Sequence, residues 1–269
     1  MMLAGWWGSW GRRPGVLILG TLVALAAAQP ALAPEDPFGI TGNALEHPSI
    51  QYPFGTDDLG RDVFAGVVHG ASTSLRVGAT GALCAVLIGV LVGGVAGMRG
   101  GWIDQVLMRG TEFVQAMPRF FLVITVVSLF GASLWLIVLV IGLTAWPGTA
   151  RVFRSLVLTT TERDFVLAAR AAGCGDFGIL ARHVLPLALP VAAAHASYQA
   201  GGAILAEAGL SFLGLGDPSV MSWGTQLGFA HHMVREAWWM SVFPGVAVTL
   251  TVLGCNLVAD SLAGRGAQA

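Results

Sequence analysis

Six long apolar runs constrain the fold of this chain more than any other feature of its sequence. They cover residues 15–33, 75–98, 112–131, 133–152, 187–207 and 237–259. A helix of about 20 apolar residues crosses the hydrocarbon core of a bilayer. A mean hydropathy of +0.73 and a charged fraction of 11% agree with such an environment. The sequence therefore predicts an all-α polytopic membrane protein with about six transmembrane helices, embedded in a lipid bilayer.

The first apolar run has two interpretations. Arg12 and Arg13 precede it, and the sequence Ala-Leu-Ala at 31–33 matches the pattern of a signal-peptide cleavage site. Pro34 directly after this pattern disfavours cleavage, and five further apolar runs follow. We therefore expect residues 1–34 to form a cytoplasmic N-terminal end and a first, retained transmembrane helix.

Arginine placement predicts the orientation of the chain, since short loops rich in positive charge remain cytoplasmic. All 14 basic residues are arginine. With a cytoplasmic N-terminus, eleven of them, Arg119 included, fall in cytoplasmic segments, and only Arg61, Arg76 and Arg235 fall outside. The resulting segments are an acidic outer loop at 35–74, a core of five helices at 75–260 and a cytoplasmic tail at 261–269.

The chain lacks the residues for several kinds of chemistry. Without lysine, it has neither a P-loop lysine for phosphate nor a Schiff-base lysine. Its three cysteines lie far apart, with no metal-ligand or disulfide spacing. The stretch GTDDLGRD at 55–62 holds three aspartates, but their spacing differs from that of a calcium-binding loop. We interpret this stretch as a polar cap that faces another protein, and we expect no metal site.

Small and ionisable residues inside the apolar runs are candidates for packing and function. Gly89, Gly93 and Gly97 recur every four residues in the second run, which predicts close contact with another helix. His195 lies within the fifth run and Glu207 at its outer end. Ionisable residues inside a membrane are functional candidates by default, although a lone histidine also serves in packing.

A basic stretch, RDFVLAARAAGCGDFGILARHVLP at 163–186, separates the fourth and fifth runs. A capping box from Thr159 to Glu162 predicts the start of a short helix, and Gly173 predicts its end. Asp176 would cap a second short helix. One face of the first helix carries Phe165, Ala168, Ala169 and Ala172.

The two short helices of this stretch have two interpretations. We expect the second helix to end at Pro186, because the residue before a proline disfavours helix. A helical knob with a face of alanines suits docking into a groove on a soluble partner. An amphipathic hairpin resting on lipid headgroups is the alternative.

Three sequence blocks resemble one family of membrane proteins. Ala168 and Ala169, followed by Gly173 and by HVLP at 183–186, resemble the EAA loop of permease subunits in ABC importers. Two further blocks are similar to the C-type subunit of dipeptide, oligopeptide and nickel permeases. They are HPSIQYPFGTDDLGRDVFAGVVHGASTSLRVG at 47–78 and AEAGLSFLGLGDPSVMSWGTQL at 206–227. The resemblance implies the type I ABC importer permease fold, with the cytoplasmic coupling loop at 153–186.

The resemblance also implies a function and a set of partners. It implies a non-catalytic permease subunit in the bacterial inner membrane that works by alternating access. The implied partners are a B-type permease subunit, one or two kinds of ATP-binding subunit and an extracytoplasmic peptide-binding protein, with no nucleic acid. ATP and magnesium would be bound and hydrolysed by the ATPase subunits, so this chain itself would bind no cofactor. The implied substrate is a di- or oligopeptide, with nickel or another small solute as the alternative.

Two other classes of protein fit the sequence less well. A secondary transporter would show inverted repeats and buried coupling-ion residues. A membrane enzyme would need a nucleophile with its base, or a metal cluster. We find neither pattern in the sequence.

The candidate site residues fall into two groups, the first of which the resemblance implies. Those that would contact the ATPase are Phe165, Ala168, Ala169, Arg170, Ala172, Gly173, Asp176, Phe177, His183 and Pro186. Candidates for the pathway or its outer gate are His195, Glu207, Phe212 and Leu213. Leu167 stands where the family motif has a glutamate, so one polar contact to the ATPase is expected to be missing.

Two features are expected at the outer end of the pathway. The stretch LSFLGLG at 210–216 shows no helical stripe, and we expect it to pack against protein because exposed backbone is unstable in lipid. We expect Trp223, Trp238 and Trp239 to form an aromatic belt at the membrane interface.

Overall fold

The computed structural model of this chain describes residues 4–266 and contains only helices as regular secondary structure in that range. This confirms the predicted all-α fold. Residues 1–3 of the expected N-terminal end and 267–269 of the expected tail lie outside the described residues, as do the side chains of 4–13 and 265–266.

Helices of very different length follow one another along the chain. They are α1 (Ala4–Ala27), α2 (Gln29–Leu32), α3 (Val63–Arg99), α4 (Gly101–Ala116), α5 (Arg119–Phe130), α6 (Leu134–Thr161), α7 (Asp164–Ala171), α8 (Asp176–Ile179), a π-helix (Leu180–Val184), α9 (Leu185–Phe212), α10 (Trp223–Ala230) and α11 (Trp238–Gly266). Since α8, the π-helix and α9 join without a break, Asp176–Phe212 is one continuous helix of 37 residues.

Within the part of the chain that the structure describes, four helices are long and apolar enough to cross a membrane. They are α3, α6, Asp176–Phe212 and α11. The pair formed by α4 and α5 adds a fifth if it is counted as one bent span, and α1 contains a shorter apolar helix at Pro14–Ala27. These helices confirm the prediction of a polytopic membrane protein.

The predicted third span at 112–131 is not one straight helix. α4 ends at Ala116, α5 begins at Arg119, and the two are bent by 75°. Met117 between them is extended, with φ −79° and ψ 129°, which is the conformation that a following proline favours. Pro118 therefore divides the apolar run, and the first part of the run belongs to α4, a helix that the hydropathy pattern missed.

The turn between α5 and α6 is short and is made of the small residues Gly131, Ala132 and Ser133. α5 ends at Phe130 and α6 begins at Leu134. Gly131 has φ 90°, a conformation that glycine adopts without strain. The N–H of Leu134 donates to Asp217 Oδ2 over 3.0 Å, so the loop after α9 holds the start of α6.

Asp217→Asn tests how much the hydrogen bond from the Leu134 N–H to the Asp217 carboxylate stabilises the fold. Burial raises the pKa of Asp217, but hydrogen bonds from Ser219 and from the Leu134 N–H outweigh burial and hold the pKa below its usual value. We expect the variant to lower the thermal midpoint of the protein at neutral pH by about 2–4 °C, as a loss of about 1 kcal/mol would.

The same variant has an expected pH dependence. Because the folded state has the lower pKa, the stabilisation is present above the unfolded pKa and is lost as pH falls through the folded pKa. The difference between variant and parent should therefore shrink below about pH 4 in thermal unfolding experiments in detergent. Asp36→Asn is the control, since its carboxylate accepts from Phe38 within its own turn. A difference that stays constant between neutral and acidic pH would contradict the role given to the Asp217 carboxylate.

The predicted small-residue stripe on α3 is confirmed as a helix contact. α3 makes its most extensive packing with α6. A Cβ atom on Gly89 would lie 2.5 Å from the Cβ of Thr149, and one on Gly97 would lie 2.7 Å from the Cβ of Val157. A Cβ on Gly93 would overlap the carbonyl oxygen of Ala150. The glycines thus let the two backbones approach more closely than any larger residue would allow.

Two of the three tryptophans expected in an interfacial belt lie in the protein core instead. Trp223 and Trp239 are both 0% exposed, whereas Trp238 is exposed. Trp223 Nε1 donates to the carbonyl of Val67 on α3 over 3.0 Å, and Trp239 Nε1 donates to the carbonyl of Thr56 over 3.0 Å. Each indole binds the outer part of the chain to a helix, so the belt prediction is wrong for these two residues.

The GTDDLGRD stretch also faces inward rather than outward. Asp57 and Arg61 are buried, and Arg61 Nε donates to Asp57 Oδ2 over 2.5 Å. The Arg61 guanidinium lies 4.3 Å from the ring centre of Phe229 on α10. Asp62 accepts from the N–H of Phe64 and caps α3. The stretch is mainly a structural link between the loop that precedes α3, α3 itself and α10. Among the described residues no group of His, Cys, Asp or Glu could hold a metal ion.

Candidate functional site

The basic stretch after α6 folds differently at its start from the capping-box prediction. α6 continues to Thr161, so Thr159 lies inside it and its hydroxyl donates to the carbonyls of Ser155 and Leu156, each over 3.1 Å. α7 begins at Asp164 without a side-chain cap. The capping box is wrong because the longer helix keeps these residues in its own last turns.

Gly173 ends α7 as predicted. Its φ is +87°, and its N–H donates to the carbonyl of Arg170 over 2.9 Å. The N–H of Cys174 donates to the carbonyl of Ala169 over 3.0 Å. These two hydrogen bonds form a Schellman motif, in which glycine supplies the left-handed residue that closes the helix.

The second short helix does not end at Pro186. α8 begins at Asp176 and continues through the π-helix into α9, in which Pro186 occupies the first turn. Inside the continuous helix Asp176–Phe212, Pro186 removes one backbone hydrogen bond and its ring crowds the preceding turn. The π-helix Leu180–Val184 lies just before Pro186, and its wider turn accommodates the proline within the helix. The basic stretch therefore forms one short helix next to the start of a long helix.

The side chains that the resemblance assigns to the ATPase contact lie close together and are mostly exposed. The exposed ones, which we call the α7 surface, are Phe165, Ala168, Arg170, Ala172, Gly173, Asp176 and Phe177. Phe177 is 84% exposed, and Leu167 beside this surface is 51% exposed. Ala169 and His183 are half-buried, and Pro186 is exposed at the start of α9. An exposed phenylalanine flanked by small residues is suited to insertion into a groove on another protein.

A small apolar core holds the α7 surface in place. Val166, Ile179 and Val184 are each 0% exposed and pack with Phe153 and Val157 of α6. The Phe165 and His183 rings lie 6.1 Å apart, and Arg170 lies 3.8 Å from Asp176. The α7 surface is therefore connected through buried contacts both to α6 and to Asp176–Phe212.

α4 contributes a polar contact near the same end of α6 that the sequence prediction missed. Arg154 donates to both oxygens of Asp104, over 2.5 and 2.6 Å. This fork-shaped pair ties α4 to α6. Gly100 and Gly101, both with positive φ, mark the turn before α4 and were the available signal for it.

The candidate outer-gate residues do not form one cluster. Glu207 is 1% exposed, and its Oε1 accepts from the hydroxyl of Ser211 over 2.6 Å. Phe212 and Leu213 are exposed and line a groove with His231 of the following segment. The LSFLGLG stretch is helical through Phe212, because α9 continues that far, so its expected irregular start is wrong.

A cavity of about 150 Å³ lies between α3, α5, α6 and α9. It is lined by Gly81, Arg119, Thr144 and Gln199, together with an apolar wall that includes Phe120. Arg119 was expected in a cytoplasmic segment, but it shares this cavity with residues from the middle of three long helices. The bend at Pro118 brings it there. His195 is half-buried on α9, one turn before Gln199, and is not among the cavity-lining residues.

Comparison with known proteins gives consistent results. Residues 85–267 match the family described as binding-protein-dependent transport system inner membrane component. The dipeptide transport system permease protein of Alkalihalophilus pseudofirmus is 36% identical over 251 residues, which are 92% of this chain and 82% of that protein. The protein of the same name from Bacillus subtilis is 36% identical, over 92% of this chain and 78% of its own length.

A third relative is named for a slightly broader function. The di/tripeptide transport system permease protein of Pseudomonas aeruginosa is 34% identical over 256 residues, which are 92% of this chain and 84% of that protein. All three similarities extend over nearly the whole chain, and the family match includes α6, the α7 surface and α9. The chain belongs to the family of binding-protein-dependent transport system inner membrane components, as its three sequence blocks implied.

Proposed function

We propose that this chain and a second, B-type permease subunit form the membrane pathway of an ATP-driven importer for di- or oligopeptides. The names of its relatives, which refer to dipeptide and di/tripeptide transport, support the peptide substrate. The exposed α7 surface, held by a buried core at the start of a long membrane helix, is the observation that carries the coupling role.

The proposal divides the work among several subunits. ATP and magnesium are bound and hydrolysed by the partner ATPase subunits, and this chain contributes no catalytic residue. The α7 surface docks into a groove of the ATPase. An extracytoplasmic binding protein delivers the peptide at the opposite side, where Phe212 and Leu213 line the outer groove.

Alternating access follows from the way these parts are connected. When the ATPase dimer closes on ATP, it moves the two docked permease subunits relative to each other. In this chain the movement passes from the α7 surface through Val166 and Ile179 to Asp176–Phe212. The outer end of that helix carries the groove, so the pathway opens outward to receive peptide and closes when ATP is hydrolysed.

Reconstitution of the complete importer tests this function. We expect proteoliposomes that contain both permease subunits and the ATPase to accumulate labelled dipeptide when ATP and loaded binding protein are supplied on their proper sides. Omission of ATP, or of the binding protein, should reduce uptake to background. A nickel chelate offered under the same conditions serves as the alternative substrate. Uptake of the chelate without uptake of peptide would overturn the peptide assignment, and uptake by this chain alone would overturn the ABC importer assignment.

We also propose that the N-terminus and the α7 surface face the bacterial cytoplasm, while residues 35–74 face outward. Cysteine labelling checks this orientation. Ile50 and Phe177 are 104% and 84% exposed, so a cysteine at either position should react freely with a membrane-impermeant maleimide. In a background without the native cysteines, we expect Ile50→Cys to be labelled in intact spheroplasts and Phe177→Cys only after permeabilisation. The reverse pattern would contradict the proposed orientation.

A further inference from the structure

We infer that Arg119 binds the carboxylate of the transported peptide in the middle of the membrane. The inference rests on the proposed function and deepens it, because it names the group of the substrate that one pathway residue recognises. It is carried by the depth of Arg119, its charge and the cavity that it lines.

The depth of Arg119 follows from the residues with which it shares the cavity. Gly81 is the middle residue of α3, Thr144 lies near the middle of α6, and Gln199 lies at the middle of α9. The three helices are long enough to cross the bilayer, so the level at which their centres meet is close to its midplane. α5 starts at this level because α4 bends away by 75° at Pro118. Arg119 is therefore an intramembrane arginine.

The charge of Arg119 is not neutralised within the described part of the chain. Between residues 14 and 264, no Asp or Glu oxygen lies within 4.0 Å of its side-chain nitrogens. Glu207, on the outer half of α9, is buried, and its Oε1 accepts from the hydroxyl of Ser211. An arginine at the centre of a membrane helix is costly unless its charge is paired or solvated. A charge placed there at such a cost indicates that an anion is supplied from outside the chain.

The surroundings of Arg119 favour a carboxylate as that anion. Arg119 is the first residue of α5 and follows Pro118, so the backbone N–H groups of this first turn lack helical partners and add positive potential. A guanidinium binds a carboxylate through two parallel hydrogen bonds. Arg119 is exposed in the isolated chain and lines the cavity.

The rest of the cavity suits a peptide. Gln199 Nε2 donates to the carbonyl of Ala145 over 2.6 Å, which positions its amide at the cavity wall. Phe120, Val123 and Ile141 provide an apolar wall against which varied side chains can pack. Every peptide carries a C-terminal carboxylate whatever its side chains, so one arginine can serve substrates of differing sequence.

The test compares a dipeptide with its C-terminal amide in the reconstituted importer, with the binding protein saturated by either peptide. We expect Arg119→Gln to reduce uptake of the free dipeptide at least tenfold and to change uptake of the amide less than twofold. Arg119→Lys keeps the positive charge but cannot form two parallel hydrogen bonds with a carboxylate, so it should retain an intermediate rate. Arg76→Gln is the matched control, since Arg76 is an exposed arginine of α3 that does not line the cavity. It should transport both peptides at the parental rate.

Three outcomes would overturn the inference. Unchanged uptake of the free dipeptide by Arg119→Gln would show that the carboxylate is not bound there. An equal loss for both peptides would show a role that is independent of the carboxylate. Reduced recovery of the permease pair would show that Arg119 instead binds an acidic residue of the second subunit. The parental importer separates the two claims. If it took up no peptide, the proposed function would be wrong, whereas a parental importer that is active with an unaffected Arg119→Gln variant would contradict only the inference about Arg119.

Discussion

Gly93→Leu is expected to remove most of the folded protein from the membrane. Any Cβ at this position overlaps the carbonyl oxygen of Ala150 and lies 3.0 Å from the backbone nitrogen of Arg154. The opposing atoms are backbone atoms, so the contact can be relieved only if α3 and α6 move apart. Overpacking commonly costs about 1–3 kcal/mol, and a displaced helix pair costs more. Against a total stability of about 5–15 kcal/mol, this is a large fraction.

The yield of monodisperse protein after detergent extraction, and its thermal midpoint, measure the effect. Gly148→Leu is the control. Gly148 lies on α6, the helix that packs against α3, but a Cβ atom at this position would point into open space. We expect the control to retain at least half of the parental yield. A Gly93→Leu variant with parental yield and midpoint would show that the close approach of α3 and α6 is not required for folding.

The second large effect is expected at the α7 surface. Ala168→Arg and Ala172→Arg each place a long charged side chain on an exposed position, so the fold of the isolated chain should be unaffected. If this surface is buried in an ATPase groove, an added arginine displaces the helix from the groove. A loss of about 1.4 kcal/mol or more in this interface would weaken the complex at least tenfold. We expect peptide uptake to fall by a similar factor.

Co-purification of the ATPase and peptide uptake are the two measurements for these variants. Ala263→Arg is the matched control, as Ala263 is an exposed alanine near the end of α11 and away from the α7 surface. It should bind the ATPase normally. Normal ATPase binding by both α7 variants would contradict docking at this surface and would favour the alternative in which the hairpin rests on lipid.

Features set by short-range patterns could be predicted from the sequence. The spacing of Gly89, Gly93 and Gly97 determines which face of α3 can approach another backbone, so the packing face follows from the pattern alone. Gly173 could be predicted to end α7 for a similar reason, since a residue with φ +87° closes the helix through bonds to its own last turn.

Features that depend on contacts between distant segments could not be predicted in this way. A hydropathy window averages over Pro118, so it could reveal neither α4 nor the depth of Arg119. Trp223 is buried because Gly70 leaves room for its ring: a Cβ there would lie 2.7 Å from Trp223 Cδ1. Composition alone cannot distinguish such a tryptophan from one at a membrane interface.

In the candidate site, too, the residues that are close in sequence could be predicted to lie together, and those that are far apart could not. The residues of the α7 surface are near one another in sequence, and they remain together in the fold. His195, Glu207 and Phe212 were candidates for one pathway or gate, but a long helix distributes them over different depths and faces. Glu207 faces the interior, while Phe212 lies at the outer groove.

The length of α9 has a mechanical consequence. A helix of 28 residues measures about 42 Å, so it acts as a stiff rod with one end at the π turn and the other at the outer groove. A rotation of about 5° around the π turn displaces the far end of a rod of that length by about 4 Å. That distance is close to the diameter of a methyl group. A small angular movement at the π-helix end of α9 is thus enough to change whether the groove at its other end admits a side chain.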